Sequence, residues 1–258
     1  MSLVKSYQLL IKYWPSFALG IRTTLIVAFV GTIIGLCFGL LVGGFKAIKL
    51  DHNASTAAKV LKKIYDTVAT IYIEIFRGTP MMVQAVFIYY LVYSNIVKWD
   101  KFVAALFVLS INTGAYMSEI IRGGIQSVDR GQTEAARALG MSNWQTMISV
   151  VLPQAIKNSF PAIGNEFIVN IKDSSVLTII SITELMFQSR SIAGSTYAFT
   201  ETYFVTACIY LLMTSITSFV LHRIEKKMNH SRTSLPQSDT MMSNMKIAKE
   251  EEKRECFD

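Results

Sequence analysis

Charge is scarce in this chain, because charged residues make up 17% of its 258 residues while apolar residues make up 52%. That balance excludes an ordinary soluble domain and is typical of a protein that crosses the membrane several times. Three scattered cysteines, Cys37, Cys208 and Cys256, indicate no disulfide framework. The net charge of +7 does not predict nucleic-acid binding, because Lys and Arg flank apolar stretches, where they orient a chain in the membrane.

The sequence also lacks the motifs of ATP hydrolysis and covalent catalysis. It contains no G-x-x-x-x-G-K-[ST], no H-E-x-x-H and no G-x-S-x-G, and its histidines lie far apart. We therefore expect no enzymatic activity, no bound cofactor and no metal site in this chain. Any energy that it uses must come from another protein.

Long apolar segments predict an all-α, polytopic membrane protein with about five transmembrane helices, since a span needs about 20 mostly apolar residues. Three spans are clear, at 23–44, 102–118 and 203–221. Two are compromised: 68–97 is interrupted by "RGTP", and 150–182 contains several charged residues. In this arrangement most Lys and Arg residues fall on one side, which predicts an N-terminus outside and a C-terminus in the cytoplasm.

The two ends of the chain have a different character from the predicted membrane domain at 18–223. In residues 1–17, apolar side chains recur at helical spacing, which predicts an N-terminal helix in the membrane interface. Residues 224–258 are polar and mixed in charge, which predicts a disordered cytoplasmic tail.

Four glycines of the first span, Gly31, Gly35, Gly39 and Gly43, are spaced four apart and therefore form one stripe. Such a stripe allows another helix to approach closely. That helix could belong to the same chain or to a second subunit, and the sequence favours neither.

Between the third and fourth spans, residues 131–149 predict a helix, a glycine turn and a second helix on the cytoplasmic side. Glu134 to Leu139 favour a helix, and Gly140 suits the left-handed residue that ends one. Ser142 and Gln145 have the spacing of a capping box. Such a unit either packs on its own chain or is gripped by a partner.

The same segment resembles the EAA motif of ABC-importer permeases. "EAARALG" at 134–140 is followed after nine residues by "VVLP", with Val150 where the family often has isoleucine. Three further segments, "EIFRGTP" at 74–80, "AYMSEIIRGGIQSV" at 115–128 and "NEFIVNIKDSSVLTII" at 165–180, resemble the polar amino-acid uptake branch. The similarity runs in family order over about residues 18–223.

The resemblance implies a type I importer fold and a permease subunit in the bacterial plasma (inner) membrane. It implies a second permease subunit, identical or homologous, an extracytoplasmic solute-binding protein, and ATP-binding subunits at the cytoplasmic face that hold ATP and magnesium. In the coupling helix, Glu134 and Gly140 would shape the element that docks on the ATPase. Ala135, Ala136 and Leu139 would contact the ATPase, and Leu152 and Pro153 complete the motif.

Polar residues at membrane depth are expensive, so they mark a pathway or an internal pair. The candidates for a substrate pathway or gate are Gln84, Asn112, Asn165, Glu166, Lys172, Asp173, Ser174 and Ser175. The candidates for a structural motif are Arg77, Gly78, Thr79, Pro80, Glu119 and Arg122. The last two are three apart, a spacing at which helical side chains pair.

Two interpretations of these charges remain open. In the first, Glu166 or Asp173 meets a substrate ammonium while Lys172 or Arg77 meets a carboxylate. In the second, the charged residues pair with one another, as Lys172 and Asp173 are placed to do, and fix the helix packing. We favour structure or gating for Arg77 and 172–175, and the pathway for Asn165 and Glu166.

Other classes of function are less well supported by the sequence. A permease for a different small solute would share the same motifs. An ion-gradient-driven secondary amino-acid transporter predicts internal repeats of spans, and the two halves show none. A membrane-embedded enzyme would need a catalytic set, and none is recognisable.

Overall fold

The computed structural model describes residues 2–48, 50, 54–95 and 98–230, and the regular structure within them is helical throughout. The helices are α1 (Leu3–Lys12), α2 (Trp14–Ala47), α3 (Thr56–Gly78), α4 (Met81–Asn95), α5 (Lys101–Gln126), α6 (Arg130–Ala138), α7 (Asn143–Thr146), α8 (Leu152–Asp173), α9 (Leu185–Thr196) and α10 (Phe199–His230). A π-helical turn, Met147–Val151, joins α7 to α8, and a 3-10 segment, Ser174–Ile180, follows α8. The all-α prediction is confirmed.

The chain divides into two compact units, Met1–Phe219 and Val220–Asp258. The first contains two apolar clusters. One joins α2, α4, α5 and the 3-10 segment around Val108, Leu109 and Leu177. The other joins α2, α8, α9 and α10 around Phe17, Ile171 and Leu185. Of the second unit, the structure describes the helical residues 220–230.

Three described helices are long and apolar enough to cross a membrane: Trp14–Ala47, Lys101–Gln126 and Phe199–Met228. A fourth span is possible if the bent pair α3 and α4 is counted as one. The predicted fourth span, 150–182, is not among these helices, although α8 is helical over 22 residues. Its charged and amide side chains, including Lys157, Asn165 and Glu166, lower its apolar character.

The predicted interrupted segment at 68–97 is two helices, α3 and α4, bent by 113° at the break. Pro80 explains the break, because its ring disfavours the helical conformation for the residue before it. Thr79 accordingly has an extended backbone, with φ −123° and ψ 146°.

The glycine stripe of α2 faces α5 of the same chain. A Cβ atom built on Gly31 would lie 2.6 Å from Leu109 Cδ2, and one on Gly35 would lie 2.7 Å from Thr113 Cβ. Gly39 and Gly43 are equally close to Met117 and Ser118. The alternative that the sequence left open is therefore settled in favour of packing within the chain.

A buried amide fastens α8 to the same helix pair. Asn170 donates through Nδ2 to Thr32 Oγ1 at 2.8 Å and accepts from Thr113 Oγ1 at 3.1 Å. Interhelical bonds of this kind stabilise helix association where no water competes. The stripe and Asn170 together fix α2, α5 and α8 against one another.

The ends of the membrane domain differ from the predicted boundaries. The N-terminal helix is present as α1, but α2 already begins at Trp14, so residues 14–17 belong to the first long helix. At the other end, α10 continues to His230, so the predicted disorder is wrong for residues 224–230. The remainder of the predicted tail, including Cys256, lies outside the described residues.

Candidate functional site

The segment 130–146 folds as the predicted helix, glycine turn and second helix, which we call the coupling elbow. Asp129 caps α6, accepting a hydrogen bond at Oδ1 from Gly131 N at 2.7 Å. Gly140 has φ +82°. Its N–H donates to Arg137 O at 2.9 Å, and the N–H of Met141 donates to Ala136 O at 3.2 Å, which together form a Schellman motif.

The second helix of the elbow starts with the predicted capping box. Ser142 Oγ accepts from Gln145 N, and Gln145 Oε1 accepts from Ser142 N at 3.0 Å. The helix α7 is only one turn long and passes through the π-helical turn into α8. Pro153 accounts for that turn, because it lacks an N–H and its ring crowds the carbonyl four residues earlier. The motif residues Leu152 and Pro153 therefore form the joint between the elbow and α8.

The exposed surface of the elbow differs from the predicted apolar face. Leu139 is 84% exposed, and Glu134, Ala135 and Gly140 are exposed as well. Ala136 is 4% exposed and is buried against its own chain. Ala136 therefore packs α6 onto its own chain, and its predicted contact with an ATPase stays a prediction, while the other four residues are open to a partner.

Aromatic rings connect the elbow to α2 and α3. The rings of Trp144 and Phe45 are 5.6 Å apart, and those of Phe45 and Tyr65 are 6.1 Å apart. The Tyr65 hydroxyl donates to Val42 O at 3.1 Å. The elbow therefore packs on α2 through Trp144, and α2 packs on α3 through Phe45 and Tyr65.

A polar cavity of about 520 Å³ lies beside the break between α3 and α4. We call it the helix-break cavity. Its volume is within the range of small-molecule sites. It gathers residues from α3, α4, α5 and α8: Arg77, Gly78, Thr79, Pro80, Met81, Asn112, Tyr116, Glu166, Val169 and Asp173.

The charges around the cavity are arranged by helical spacing. Glu166 and Asp173 are seven residues apart on α8 and face the same space. Arg77 lies over the Tyr116 ring, 5.5 Å from its centroid, and its Nη1 is 3.9 Å from Glu119 Oε2. Glu119 makes the shorter ion pair with Arg122 Nη2 at 2.6 Å, as the three-residue spacing predicts. The ion pair of Arg77 with Glu119 is thus the longer of the two that Glu119 makes.

Two predicted pathway residues tie the break to α5. Gln84 Nε2 donates to Phe76 O and to Thr79 O, each at 3.0 Å. Asn112 Nδ2 donates to Phe76 O at 3.2 Å and to Gln84 Oε1 at 2.8 Å. These bonds satisfy carbonyls that lost their partners where the helix ends. Gln84 and Asn112 therefore hold the cavity wall, and Asn112 also lines the cavity.

The other predicted pathway residues do not line the cavity. Asn165 and Lys172 are exposed on a different face of α8. Ser174 is buried and donates from Oγ to Ile171 O at 2.9 Å, while Ser175 is half-buried in the 3-10 segment. Among the described residues, no ion pair within 4.0 Å joins Lys172 to Asp173, so the pairing of these two charges stays a prediction.

Sequence reasoning missed three residues that organise this region. Tyr116 lies on the α5 face of Asn112 and Glu119, a helical spacing that was visible in the sequence. Asn170 and Glu184 had weaker signals. The buried Glu184 carboxylate caps α9 by accepting from Phe187 N at 2.7 Å and Met186 N at 2.8 Å, and it also accepts from Tyr210 Oη at 2.9 Å. Glutamate is not a preferred capping residue, so this cap could not be expected from the residue type.

The chain is similar to known transport proteins over most of its length. Residues 54–230 match the family described as binding-protein-dependent transport system inner membrane component. The chain is 36% identical over 220 residues to the glutamine transport system permease protein GlnP of Escherichia coli (strain K12). The aligned region covers 83% of this chain and 95% of the relative. The same identity and coverage hold for the protein of that name from Shigella flexneri.

Solved structures show the same fold. The crystal structure of an amino acid ABC transporter with histidines superposes on this chain with a TM-score of 0.74 and 40% sequence identity. The superposition covers 84% of this chain and 96% of the chain in that structure. An inward-facing conformation of the MetNI methionine ABC transporter is 21% identical, with a TM-score of 0.66 over 88% of this chain and 99% of its own. The second likeness concerns the fold alone.

Proposed function

Because the chain belongs to the family of binding-protein-dependent transport system inner membrane components, we propose that it is the permease subunit of an ATP-driven importer for a polar amino acid. The resemblance to ABC-importer permeases is confirmed, and with it a multi-pass helical protein of the inner membrane. The substrate class is supported by relatives at 36% and 40% identity whose names specify glutamine and amino acid transport.

The helix-break cavity is the proposed contact site for the substrate, and its charges carry that assignment. Glu166 and Asp173 offer two carboxylates to an ammonium group, and Arg77 offers a guanidinium to a carboxylate. Arg77 is preferred over Lys172 for this role, because Lys172 does not line the cavity. The first turn of α4, at Met81, adds N–H groups that favour an anion. A zwitterion matches this arrangement of opposite charges.

Two copies of the permease, identical or homologous, are expected to enclose one pathway. Asn165 and Lys172 are seven residues apart and therefore share an exposed face of α8. Contact of that face with lipid would be unfavourable at membrane depth. A second permease subunit that covers it, or a water-filled pathway between the two subunits, removes this cost. This polar face lowers the apolar character of 150–182. Because a second subunit or water would cover it, we still count the segment as one of five spans.

The coupling elbow is the proposed docking element for a separate ATPase, which would hold ATP and magnesium. Its exposed Leu139 and Ala135 offer an apolar contact, while the Schellman turn at Gly140 and the capping box keep its shape. Closure of two ATPase subunits would move the elbow, and the motion would switch the pathway between two states as a rigid-body change. A solute-binding protein would deliver the substrate from outside.

Uptake into proteoliposomes tests this proposal. The chain is reconstituted with its ATPase and binding protein, and the uptake of labelled glutamine and other polar amino acids is measured. We expect uptake to require ATP hydrolysis and to persist when ionophores collapse the ion gradients. Uptake by the chain alone, driven by an ion gradient, would support a secondary transporter instead. ATP-driven uptake of only another class of solute would contradict the substrate assignment.

A further inference from the structure

A second cavity, distinct from the helix-break cavity, lies between the C-terminal end of α2 and the first half of α3. It has a volume of about 710 Å³. Four lysines line it, Lys46, Lys59, Lys62 and Lys63, against a single aspartate, Asp66. We call it the lysine groove. Its excess of positive charge favours an anionic occupant.

Part of this charge is used inside the protein. Lys62 makes an ion pair with Asp66 and donates to Lys46 O at 3.3 Å, at the negative end of the α2 dipole. Lys46 Nζ donates to Thr70 Oγ1 at 2.9 Å. These bonds hold the groove in shape. Lys59 and Lys63, one helical turn apart on α3, are exposed and extend the positive surface outward.

The groove adjoins an apolar surface. Val60, Ile64, Val68 and Ile75 recur at helical spacing on α3 and are all exposed. Ile71 belongs both to this stripe and to the lining of the groove. A lysine cluster beside an exposed aliphatic stripe is the combination that an amphipathic helix presents to an anionic membrane surface.

We propose that the lysine groove binds the headgroup of an anionic phospholipid of the cytoplasmic leaflet, whose acyl chains lie along the stripe of Ile64, Val68 and Ile71. The side of the membrane rests on the orientation in the proposed function. An acidic surface of a protein partner would satisfy the lysines but would leave the aliphatic stripe uncovered. The lipid satisfies both, and lysine stems reach past apolar groups to place their charges at a headgroup.

Native mass spectrometry of the purified full chain tests the proposal. Phosphatidylglycerol and phosphatidylcholine are titrated separately, and the affinity of the first bound lipid is compared. We expect a preference for phosphatidylglycerol that falls by about 30-fold in the K59Q/K63Q double variant, since each lysine near an anionic surface contributes about fivefold. The K59R/K63R variant, which keeps the charge, is expected to retain the preference.

A control variant, a competing anion and a second readout distinguish the lipid from other occupants of the lysine groove. The K98Q/K101Q variant removes two exposed lysines elsewhere in the chain, and an equal loss there would overturn the proposal. Displacement of the lipid by inorganic phosphate would assign the groove to a free anion. If K59Q/K63Q bound the lipid normally but lost the copurifying ATPase, the groove would be a protein contact. Failure of ATP-driven uptake, with lipid binding intact, would count against the proposed function alone.

Discussion

Gly140 controls the shape of the coupling elbow through its backbone alone. Its φ of +82° is costly for any residue with a Cβ atom, whereas a Cβ built there would meet nothing within 4 Å. We expect Gly140→Ala to destabilise the elbow by about 1 kcal/mol and to lower transport per ATP hydrolysed. Coupled assays in proteoliposomes measure this ratio.

The control for that substitution is Gly123→Ala. A Cβ at Gly123 also meets nothing within 4 Å, but this glycine lies inside α5 with an ordinary helical backbone. Gly123→Ala is expected to leave the coupling ratio unchanged and to stabilise α5 slightly, because alanine favours a helix more than glycine does. Equal effects of the two substitutions would contradict the role of the positive φ.

Glu166 is the residue on which the proposed substrate contact depends most directly. Glu166→Gln keeps the size of the side chain but removes its charge. We expect the initial rate of uptake at low substrate concentration to fall by about tenfold or more, because a hydrogen bond to a charged group contributes about 1.5–3 kcal/mol. Lys101→Gln, an exposed charge that does not line the cavity, is the control. Unchanged uptake and substrate preference in Glu166→Gln would remove this residue from the pathway.

Single-residue roles were predictable where local chemistry alone decides them. The left-handed Gly140, the Ser142–Gln145 capping box and the Glu119–Arg122 pair follow from spacings within one helix or turn. The burial of Ala136 and the exposure of Lys172 do not, because each depends on which neighbouring helix covers that face. The role of Asn170 was not predicted for the same reason, because its partners Thr32 and Thr113 come from two other helices.

Which helices pack against each other could not be predicted from any one segment of the sequence. The glycine stripe showed that a close partner exists, but only the structure shows that the partner is α5. Pro80 predicted an interruption after α3, and the extended Thr79 confirms it. The angle of 113° between α3 and α4 could not be read from the sequence, since it depends on contacts between segments, and the bonds of Gln84 and Asn112 across the break are among them.

The α2–α5 contact predicts how strongly the stripe resists substitution. Gly39→Ala would place a Cβ against Met117, where backbone atoms are among the nearest neighbours. Overpacking of this kind costs about 1–3 kcal/mol, so we expect a lower thermal midpoint in detergent. Gly44→Ala is the control, because a Cβ there meets nothing within 4 Å. If both variants unfolded at the same temperature, the stripe would not carry the packing.

Leu139 forms an exposed apolar tip at the C-terminal end of α6. Because little of its own chain covers it, we expect it to contact a partner. Leu139→Glu changes a side chain that is 84% exposed, so we expect normal membrane insertion and normal stability of the isolated chain. We expect copurification of the ATPase and ATP-driven uptake to be largely lost. Leu139→Met, which keeps an apolar contact, is expected to retain most of both. Full uptake by Leu139→Glu would refute the docking role of this tip.

The orientation of the whole molecule remains a prediction from the distribution of Lys and Arg. It places the elbow in the cytoplasm and the turn between α9 and α10 outside. Two residues make a matched pair for testing it, because Leu139 and Tyr197 are each 84% exposed. In a background with serine at Cys37, Cys208 and Cys256, each is replaced singly by cysteine and probed with a membrane-impermeant maleimide.

In right-side-out vesicles we expect the reagent to label Tyr197→Cys and to spare Leu139→Cys. The two sites should exchange reactivity in inverted vesicles, and detergent should make them react equally. Equal exposure in the folded chain ensures that a difference between them reports the side of the membrane rather than burial. Labelling of Leu139→Cys from outside would separate the elbow from any cytoplasmic ATPase. The lysine groove would then face the wrong leaflet as well, so this one measurement constrains both proposals.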